Sequence, residues 1–432
     1  MTLGNAAFLI LGLAVGLLAL IGLLDAVKGT PVKRVIGFGG ATLPGVREAA
    51  FLPSMELASR TELHEGNRAE FFWNGDQTYP RLWEDLRSAR RSITFQMYWC
   101  KPGRMAETLA EILIERARAG VDVLLLYDAW GSSWKRHYVD RLKAGGVRAE
   151  VFRPLHLLAL NIINHRAHIR VVCVDGRIGW TGGFGIDDKW FGDGRSKGQW
   201  RDSNVRFTGP AVSQLQSAFT ACWAETTGEL LVGERLYPVN DENSDGRDGP
   251  LTAGLLHGSP SVGSTEAERF FALSIASARE RLYVTNSYFV PDRDFRNLLC
   301  DAARRGVDVR ILTVSDATDV KSTWYAGRAR YEHLLSAGVR VFEYQPTMIH
   351  AKTLVVDGAW CAVGSMNADN RSLSFNEETV LLMLNADASA ALESHFMEDL
   401  KFAREIRLEE FRRRGAIERL KESACYAFWR VL

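Results

Sequence analysis

Hydrophobic residues along this chain follow strand and helix periods in alternation, and the alternation occurs twice. Residues 93–99 and 282–288 are short runs rich in β-branched and aromatic residues, which is typical of strands. An amphipathic helical stretch follows each run, at residues 105–119 and 295–305. Both stretches end at a glycine, after which a second apolar run begins. The pattern predicts alternating strands and helices.

The two patterns are copies of each other. Gly120 and Gly306 end the two helical stretches, and Gly146 and Gly338 precede the next strands. The number of residues from Gly120 to Gly306 is nearly the same as the number from Gly146 to Gly338. A nearly constant offset over several elements indicates an internal repeat. The sequence therefore predicts a duplicated α/β domain.

A polar stretch at residues 240–250, rich in turn-forming residues, separates the copies. After about Ala386 the pattern looks helical to the end. From these features we expect the following division: 1–27, a transmembrane anchor; 28–61, a juxtamembrane linker; 62–238, the first domain; 239–263, a linker; 264–390, the second domain; and 391–432, a C-terminal helical extension.

Residues 6–24 carry no charge, and a helix of this length reaches roughly 28 Å, close to the thickness of the hydrocarbon core of a bilayer. A cleaved signal peptide is the alternative, but no basic residue precedes the run and no small-residue cleavage site follows it. Basic residues follow the run, beginning with Lys28 and Lys33. The positive-inside bias then predicts a single-pass protein whose domains face the cytoplasm.

Composition narrows the class of protein. Hydrophobic residues make up 47% and charged residues 24%, which excludes disorder as the main state. The 53 basic against 52 acidic residues give a net charge of +1. A protein whose main function is to bind nucleic acid usually has many more basic than acidic residues, so we expect no nucleic-acid partner.

The candidate chemistry lies inside the repeat. His350 and Lys352 are followed by Asp357 and a glycine, and the first copy has His168, Arg170 and Asp175 in the same spacing. The glycines that follow the two motifs are separated by the same interval as the two histidines, so the copies are in register. A histidine and a cation two positions apart on a strand point to one face, which suits an anionic phosphate.

A small-residue corner follows each motif, at Gly183 in the first copy and at Ser365 and Asn367 in the second. Small residues let backbone N–H groups approach an oxyanion. Asp-Gly between the two strands predicts a hairpin turn, so a turn role is our preferred interpretation of Asp175 and Asp357, although both are counted among the catalytic candidates.

This duplicated histidine–cation–aspartate motif resembles that of the phospholipase D superfamily, and agrees more closely with bacterial cardiolipin synthases. The resemblance runs from about Glu62 to the C-terminus. It implies two tandem α/β/α sandwich domains with mixed sheets. It also implies a bacterial inner-membrane enzyme that uses phosphatidylglycerol in the bilayer and needs no metal or other cofactor.

The resemblance further implies that one histidine attacks phosphorus, giving a phosphohistidine, while the other protonates the leaving alcohol. His168 is then the nucleophile and His350 the acid and base; the residues alone leave the order open. Arg170 and Lys352 would neutralise the phosphate, and Ser365 and Asn367 would donate hydrogen bonds to it.

In this family a carboxylate well downstream of each histidine, but within the same copy, orients the ring. Asp202 follows His168 and Glu378 follows His350 at the separation that the family shows, so both match by position. Glu377 is an alternative to its neighbour, because strand alternation lets only one of the two face the site.

Two departures from the family lie in the first copy, namely Arg170 in place of lysine and Gly185 in place of a frequent asparagine. Three functions remain open: a phosphatidyltransferase of cardiolipin synthase type, a hydrolytic phospholipase D or other phosphodiesterase including a nuclease, and a membrane-anchored scaffold with a decayed site. The anchor and the intact second motif favour the first.

Overall fold

The computed structural model describes residues 31–154, 165–238, 249–259 and 265–427, together with Gly12 and Gly16. The expected anchor and its orientation therefore lie outside the described residues, those two glycines excepted. Within the described ranges, none of the helices has both the length and the apolar character needed to cross a bilayer.

Seven strands form the first sheet, in the order β2-β9-β7-β6-β3-β4-β5. Three neighbours, β3, β4 and β5, are parallel, and the other pairs are antiparallel, so the sheet is mixed. The strands are β2 (Arg68–Trp73), β3 (Ser92–Met97), β4 (Asp122–Asp128), β5 (Arg148–Phe152), β6 (Arg170–Val174), β7 (Ile178–Gly182) and β9 (Ser203–Thr208).

The second sheet has nine strands in the order β1-β10-β17-β16-β15-β11-β12-β13-β18. They are β1 (His64–Gly66), β10 (Gly249–Gly258), β11 (Arg281–Asn286), β12 (Asp308–Val314), β13 (Arg340–Tyr344), β15 (Lys352–Val356), β16 (Trp360–Gly364), β17 (Glu378–Leu384) and β18 (Ala403–Ile406). Its seven inner strands repeat the connectivity of the first sheet, which confirms the predicted duplication. A short parallel pair, β8 (Trp200–Arg201) with β14 (Met348–Ile349), joins the two halves.

Helices cover both sheets. They are α1 (Phe51–Ser59), α2 (Asn74–Ser88), α3 (Arg104–Arg118), α4 (Arg136–Ala144), α5 (Ala211–Thr227), α6 (Glu266–Ser277), α7 (Arg293–Arg304), α8 (Lys321–Arg328), α9 (Tyr331–Ser336), α10 (Asn370–Ser374), α11 (Ala386–Leu400), α12 (Leu408–Arg412) and α13 (Ala416–Tyr426). Single 3₁₀ turns occur at Phe38–Gly40 and Asp188–Trp190.

The predicted helix at residues 105–119 is α3, which buries Leu109 and Leu113 on one face. Burying a leucine side chain stabilises the fold by about 1.5–3 kcal/mol. Gly120, just beyond the helix, has a φ of +87°, a left-handed conformation that glycine adopts without steric cost. The inner faces of the two sheets enclose a shared core in which α5 and α11 are packed.

Three expected boundaries were wrong. Most of the expected linker 239–263 that is described forms β10, because Leu251, Ala253 and Leu255 alternate onto the shared core and override the surrounding glycines. Helix α1, inside the expected juxtamembrane linker, packs into the core of the second domain through Phe51 and Met55. The expected helical extension 391–432 contains β18, which pairs with β13 at the sheet edge.

Candidate active site

Two hairpins carry the histidine motifs. Asp175 and Gly176 connect β6 to β7 with φ values of +54° and +64°, and Asp357 and Gly358 connect β15 to β16 with +49° and +63°. Positive φ at both central residues is typical of the tight turn that matches strand twist, as Asp-Gly predicted. The hairpins place Arg170 and Lys352 at the first residue of their strands.

The two aspartates do not reach the site. The Asp175 carboxylate accepts hydrogen bonds from the backbone N–H groups of Arg90, Arg91 and Ser92. The Asp357 carboxylate likewise accepts from the N–H groups of residues 279–281. Both side chains therefore tie the hairpin turn to the start of the neighbouring strand, and their place among the catalytic candidates is corrected to a structural role.

The two motif histidines lie at the junction of the two domains. Ile349, just before His350, is paired with Arg201 in the β8–β14 ladder, and an isolated parallel bridge joins Ala167, just before His168, to Glu377. The two bridges have the same register. Each histidine is therefore held opposite the residue that follows its bridge partner, which belongs to the other domain.

This register crosses the histidine–carboxylate pairs. Nδ1 of His168 lies 2.9 and 3.1 Å from the two carboxylate oxygens of Glu378, and Nδ1 of His350 lies 3.1 Å from Oδ2 of Asp202. The expected pairing within each copy is thus replaced by pairing between copies. Glu377 faces away from His168 and forms an ion pair with Arg153 at 3.2 Å.

The two pairs differ electrostatically. Burial raises the pKa of Glu378 to about 8. Burial acts in the same direction on Asp202, but hydrogen bonds from His350 and Trp190 and the charge of Lys352 outweigh it, so the pKa of Asp202 lies below its usual value. Burial and the nearby charge of Lys352 lower the pKa of His350 to about 3.

Burial also lowers the pKa of His168 well below its usual value, with the charges of Arg170 and Lys352 adding to the effect. Both rings are therefore held as neutral imidazoles at neutral pH. Because Nδ1 faces a carboxylate in each ring, Nε2 is the nitrogen presented to the cavity between them. A neutral imidazole with a free Nε2 can act as a nucleophile or as a base.

The cations of the motifs are equally buried. An Nη of Arg170 donates to the carbonyl oxygen of His168 at 2.6 Å, and the Nζ of Lys352 donates to that of His350. Burial lowers the pKa of Lys352 to about 7. Arginine at residue 170 thus keeps the contact that lysine makes in the other half, and adds a hydrogen bond from Nε to the carbonyl oxygen of Phe184.

The small-residue corners support the carboxylates. The Ser365 hydroxyl donates to Glu378, which replaces the expected contact with phosphate. A Cβ on Gly183 would lie 2.1 Å from Oδ1 of Asp202, so glycine is required there to admit that carboxylate. The indole N–H of Trp190 donates to Asp202 at 2.7 Å. The Trp190 ring also fills the space beside Gly185, where a Cβ would lie 2.8 Å from it.

A cavity of about 550 Å³ opens between the histidines. Its wall includes both histidines, Arg170 and Asn367. Most of the other lining residues were not among the predicted site residues, among them Tyr98, Trp99, Lys189, Trp200, Tyr288 and Arg371. Lys189 and Arg371 could have been predicted from the sequence, because they are separated by the same number of residues as the two histidines. In the described part of the chain no three His, Cys, Asp or Glu residues are grouped to hold a metal ion.

Comparisons with known proteins show the family to which the chain belongs. The family model described as "Cardiolipin synthase, PLD-like domain" matches residues 82–223 and 273–400. A cardiolipin synthase of Geobacillus sp. (strain WCH70) is 34% identical over 377 residues, which span 86% of this chain and 74% of the relative. A cardiolipin synthase of Clostridium perfringens (strain SM101 / Type A) is 29% identical over 83% of this chain and 75% of that protein.

Among solved structures, phosphatidylserine synthase from Haemophilus influenzae Rd KW20 superposes with a TM-score of 0.67 at 13% identity, over 89% of this chain and 100% of that chain. Polyphosphate kinase from Porphyromonas gingivalis gives 0.54 at 11% identity, over 84% and 52%. Both share the fold. The duplicated sheets and paired histidines define a phospholipase D-type enzyme, and the chain belongs to the PLD-like family of cardiolipin synthase type.

Proposed function

We propose that this protein is a phosphatidyltransferase that converts two molecules of phosphatidylglycerol into cardiolipin and glycerol. The observation that carries the proposal is the pair of neutral histidines whose Nε2 atoms face one cavity, each backed by a carboxylate of the other domain. Such a pair can divide one displacement at phosphorus into two steps. The similarity to curated cardiolipin synthases supports the choice of substrate.

In the first step, Nε2 of His168 attacks the phosphorus of the donor lipid, and the bond from phosphorus to the glycerol headgroup breaks. The negative charge of the bound phosphodiester favours the imidazolium form of His350, which then gives its proton to the departing glycerol oxygen. In the second step, His350 takes the proton from the hydroxyl of the acceptor lipid, whose oxygen bonds to phosphorus as the P–N bond breaks. Arg170 and Lys352 stabilise the phosphate charge throughout, and Asp202 stabilises the imidazolium of His350.

We further propose that residues 6–24 anchor the enzyme in the bacterial cell membrane as a single pass with the domains in the cytoplasm. Digestion of right-side-out cells by an external protease tests this orientation. Protection of the domains is the expected result, and their cleavage without cell lysis would contradict it.

The function is tested with the full-length protein in phosphatidylglycerol liposomes, with lipid products measured by mass spectrometry. Cardiolipin with an equal amount of free glycerol is the expected result, and His350→Ala is the inactive control. Phosphatidic acid as the main product would instead identify a hydrolase. Absence of any product, together with cleavage of a nucleic-acid substrate, would favour the nuclease alternative.

A further inference from the structure

Two more cations line the cavity in addition to Arg170. They are Lys189 and Arg371, which occupy equivalent positions of the two copies, separated by the same interval as the two histidines. Lys189 lies on the 3₁₀ turn Asp188–Trp190 and Arg371 on the short helix α10. Neither belongs to the histidine motifs, so the mechanism above leaves their place in the wall unexplained.

The two cations lie beside different histidines. The ammonium of Lys189 is 4.6 Å from the ring centroid of Trp200 and 5.0 Å from that of Trp99. The Trp200 ring is in turn 5.1 Å from the ring of His350. Lys189 therefore belongs to the His350 side of the cavity, although it comes from the other domain. Arg371 belongs to the His168 side, where its charge contributes to lowering the pKa of that histidine.

Lys189 differs from the motif cations in its freedom to reach a ligand. Arg170 and Lys352 are at most 3% exposed and bound to backbone carbonyls, whereas the side chain of Lys189 is 39% exposed. The carboxylate oxygen with which it pairs, on Asp187, is 4.0 Å away. Cation–π contact with the two indole faces holds the Lys189 side chain in place and leaves the three N–H groups of its ammonium able to donate to a ligand.

We propose that Lys189, held against Trp99 and Trp200, binds the phosphate of the acceptor phospholipid. The inference rests on the proposed function. His350 serves the leaving glycerol and then the incoming hydroxyl, so the acceptor enters on the His350 side. In phosphatidylglycerol only a three-carbon bridge separates that hydroxyl from a second phosphate. A cation beside His350 is thus placed to select an acceptor that carries a phosphate over water or a small alcohol.

The test compares two acceptors in one assay. Wild type and Lys189→Gln are incubated with phosphatidylglycerol liposomes and isotopically labelled glycerol, and both cardiolipin and labelled phosphatidylglycerol are measured. Labelled glycerol reports an acceptor without phosphate. A hydrogen bond to a charged group contributes about 1.5–3 kcal/mol, so the ratio of cardiolipin to labelled phosphatidylglycerol should fall by roughly tenfold or more in Lys189→Gln.

Lys101→Gln is the matched control, because the Lys101 ammonium also lies over the Trp99 ring, at 4.5 Å, but outside the cavity wall. It removes the same charge and should leave the ratio unchanged, while Lys189→Arg should restore it. An unchanged ratio in Lys189→Gln would overturn the inference alone. A wild-type enzyme that exchanges glycerol but makes no cardiolipin would overturn the proposed function and this inference with it.

Discussion

Nδ1 of His168 lies 2.9 Å from a carboxylate oxygen of Glu378, a residue 210 positions further along the chain and in the other domain. The contact has a counterpart in His350 and Asp202, so each domain supplies one histidine and the carboxylate that orients the other. The site is complete only where the two domains meet. This crossing leads to the first two predictions.

We expect His168→Ala and His350→Ala each to lower turnover by at least about 10²–10⁴-fold, the usual contribution of a positioned acid or base. His165→Ala is the control, because His165 lies against Phe375 and outside the wall of the cavity. Cardiolipin formation from phosphatidylglycerol is the measurement. Near-normal activity in either of the first two variants would refute the paired-histidine mechanism.

Asp202→Asn should impair proton transfer by His350, whereas Glu378→Gln should impair attack by His168. A phosphatidyl ester of p-nitrophenol separates these effects, because this leaving group needs no proton. We expect release of p-nitrophenol to recover in Asp202→Asn and to stay low in Glu378→Gln. The reverse pattern would mean that the histidines exchange roles.

The rate should depend on the charge of Lys352, whose pKa burial lowers to about 7. The cation is present below that pH and is lost as the pH rises through it, so kcat/KM of the wild type should decline above about pH 7. Lys352→Arg should extend the plateau to higher pH, since arginine keeps its charge and residue 170 shows that the equivalent place accepts it. An alkaline limb unchanged in Lys352→Arg would assign it to another group.

Asp357→Asn should lower stability and spare the chemistry. The substitution replaces the charged carboxylate that accepts three backbone hydrogen bonds with a neutral amide. A hydrogen bond to a charged group contributes about 1.5–3 kcal/mol to stability. Asparagine tolerates the φ of +49°, so backbone strain does not add to the loss. We expect a lower melting temperature and a kcat within about twofold of wild type. A large fall in kcat at an unchanged melting temperature would return Asp357 to the catalytic residues.

Gly183→Ser gives the first copy the residue that the second copy has at the equivalent position, Ser365, and should inactivate the enzyme. The added Cβ would lie 2.1 Å from Asp202, the carboxylate of His350, whereas Ser365 in the other copy donates to its carboxylate. We expect a rate loss that p-nitrophenyl substrates partly relieve, as for Asp202→Asn. Full activity of Gly183→Ser would show that the Asp202 side chain has room to move.

The repeat and its motifs were predictable because they are local. Strand and helix periods, the glycine stops and the Asp-Gly turns all act within a few residues, and the constant offset between the motifs aligned the copies. The crossed pairs were not predictable, since the partner of each histidine depends on how the domains dock. Trp190 escaped notice because an aromatic residue in this position gives no sign that its N–H serves a carboxylate.

The boundaries failed for a related reason. Strand β10 follows a polar stretch and contains three glycines, so its local sequence does not look like a strand. Its place between β1 and β17 comes from the apolar face that it presents to a distant helix, α5. Tertiary packing decided the outcome where local preference was weak.

The two bridges at the domain junction, Ile349 with Arg201 and Ala167 with Glu377, are arranged like the contacts of a two-fold dimer interface, although both domains belong to one chain. In a dimer of identical subunits each patch must complement itself, so a change on one side is always made on both. Fusion removes that constraint. Arg170, Gly183 and Trp190 could then diverge from Lys352, Ser365 and Ser372. The two equivalent histidines therefore lie in different surroundings, as the proposed division into a donor side and an acceptor side requires.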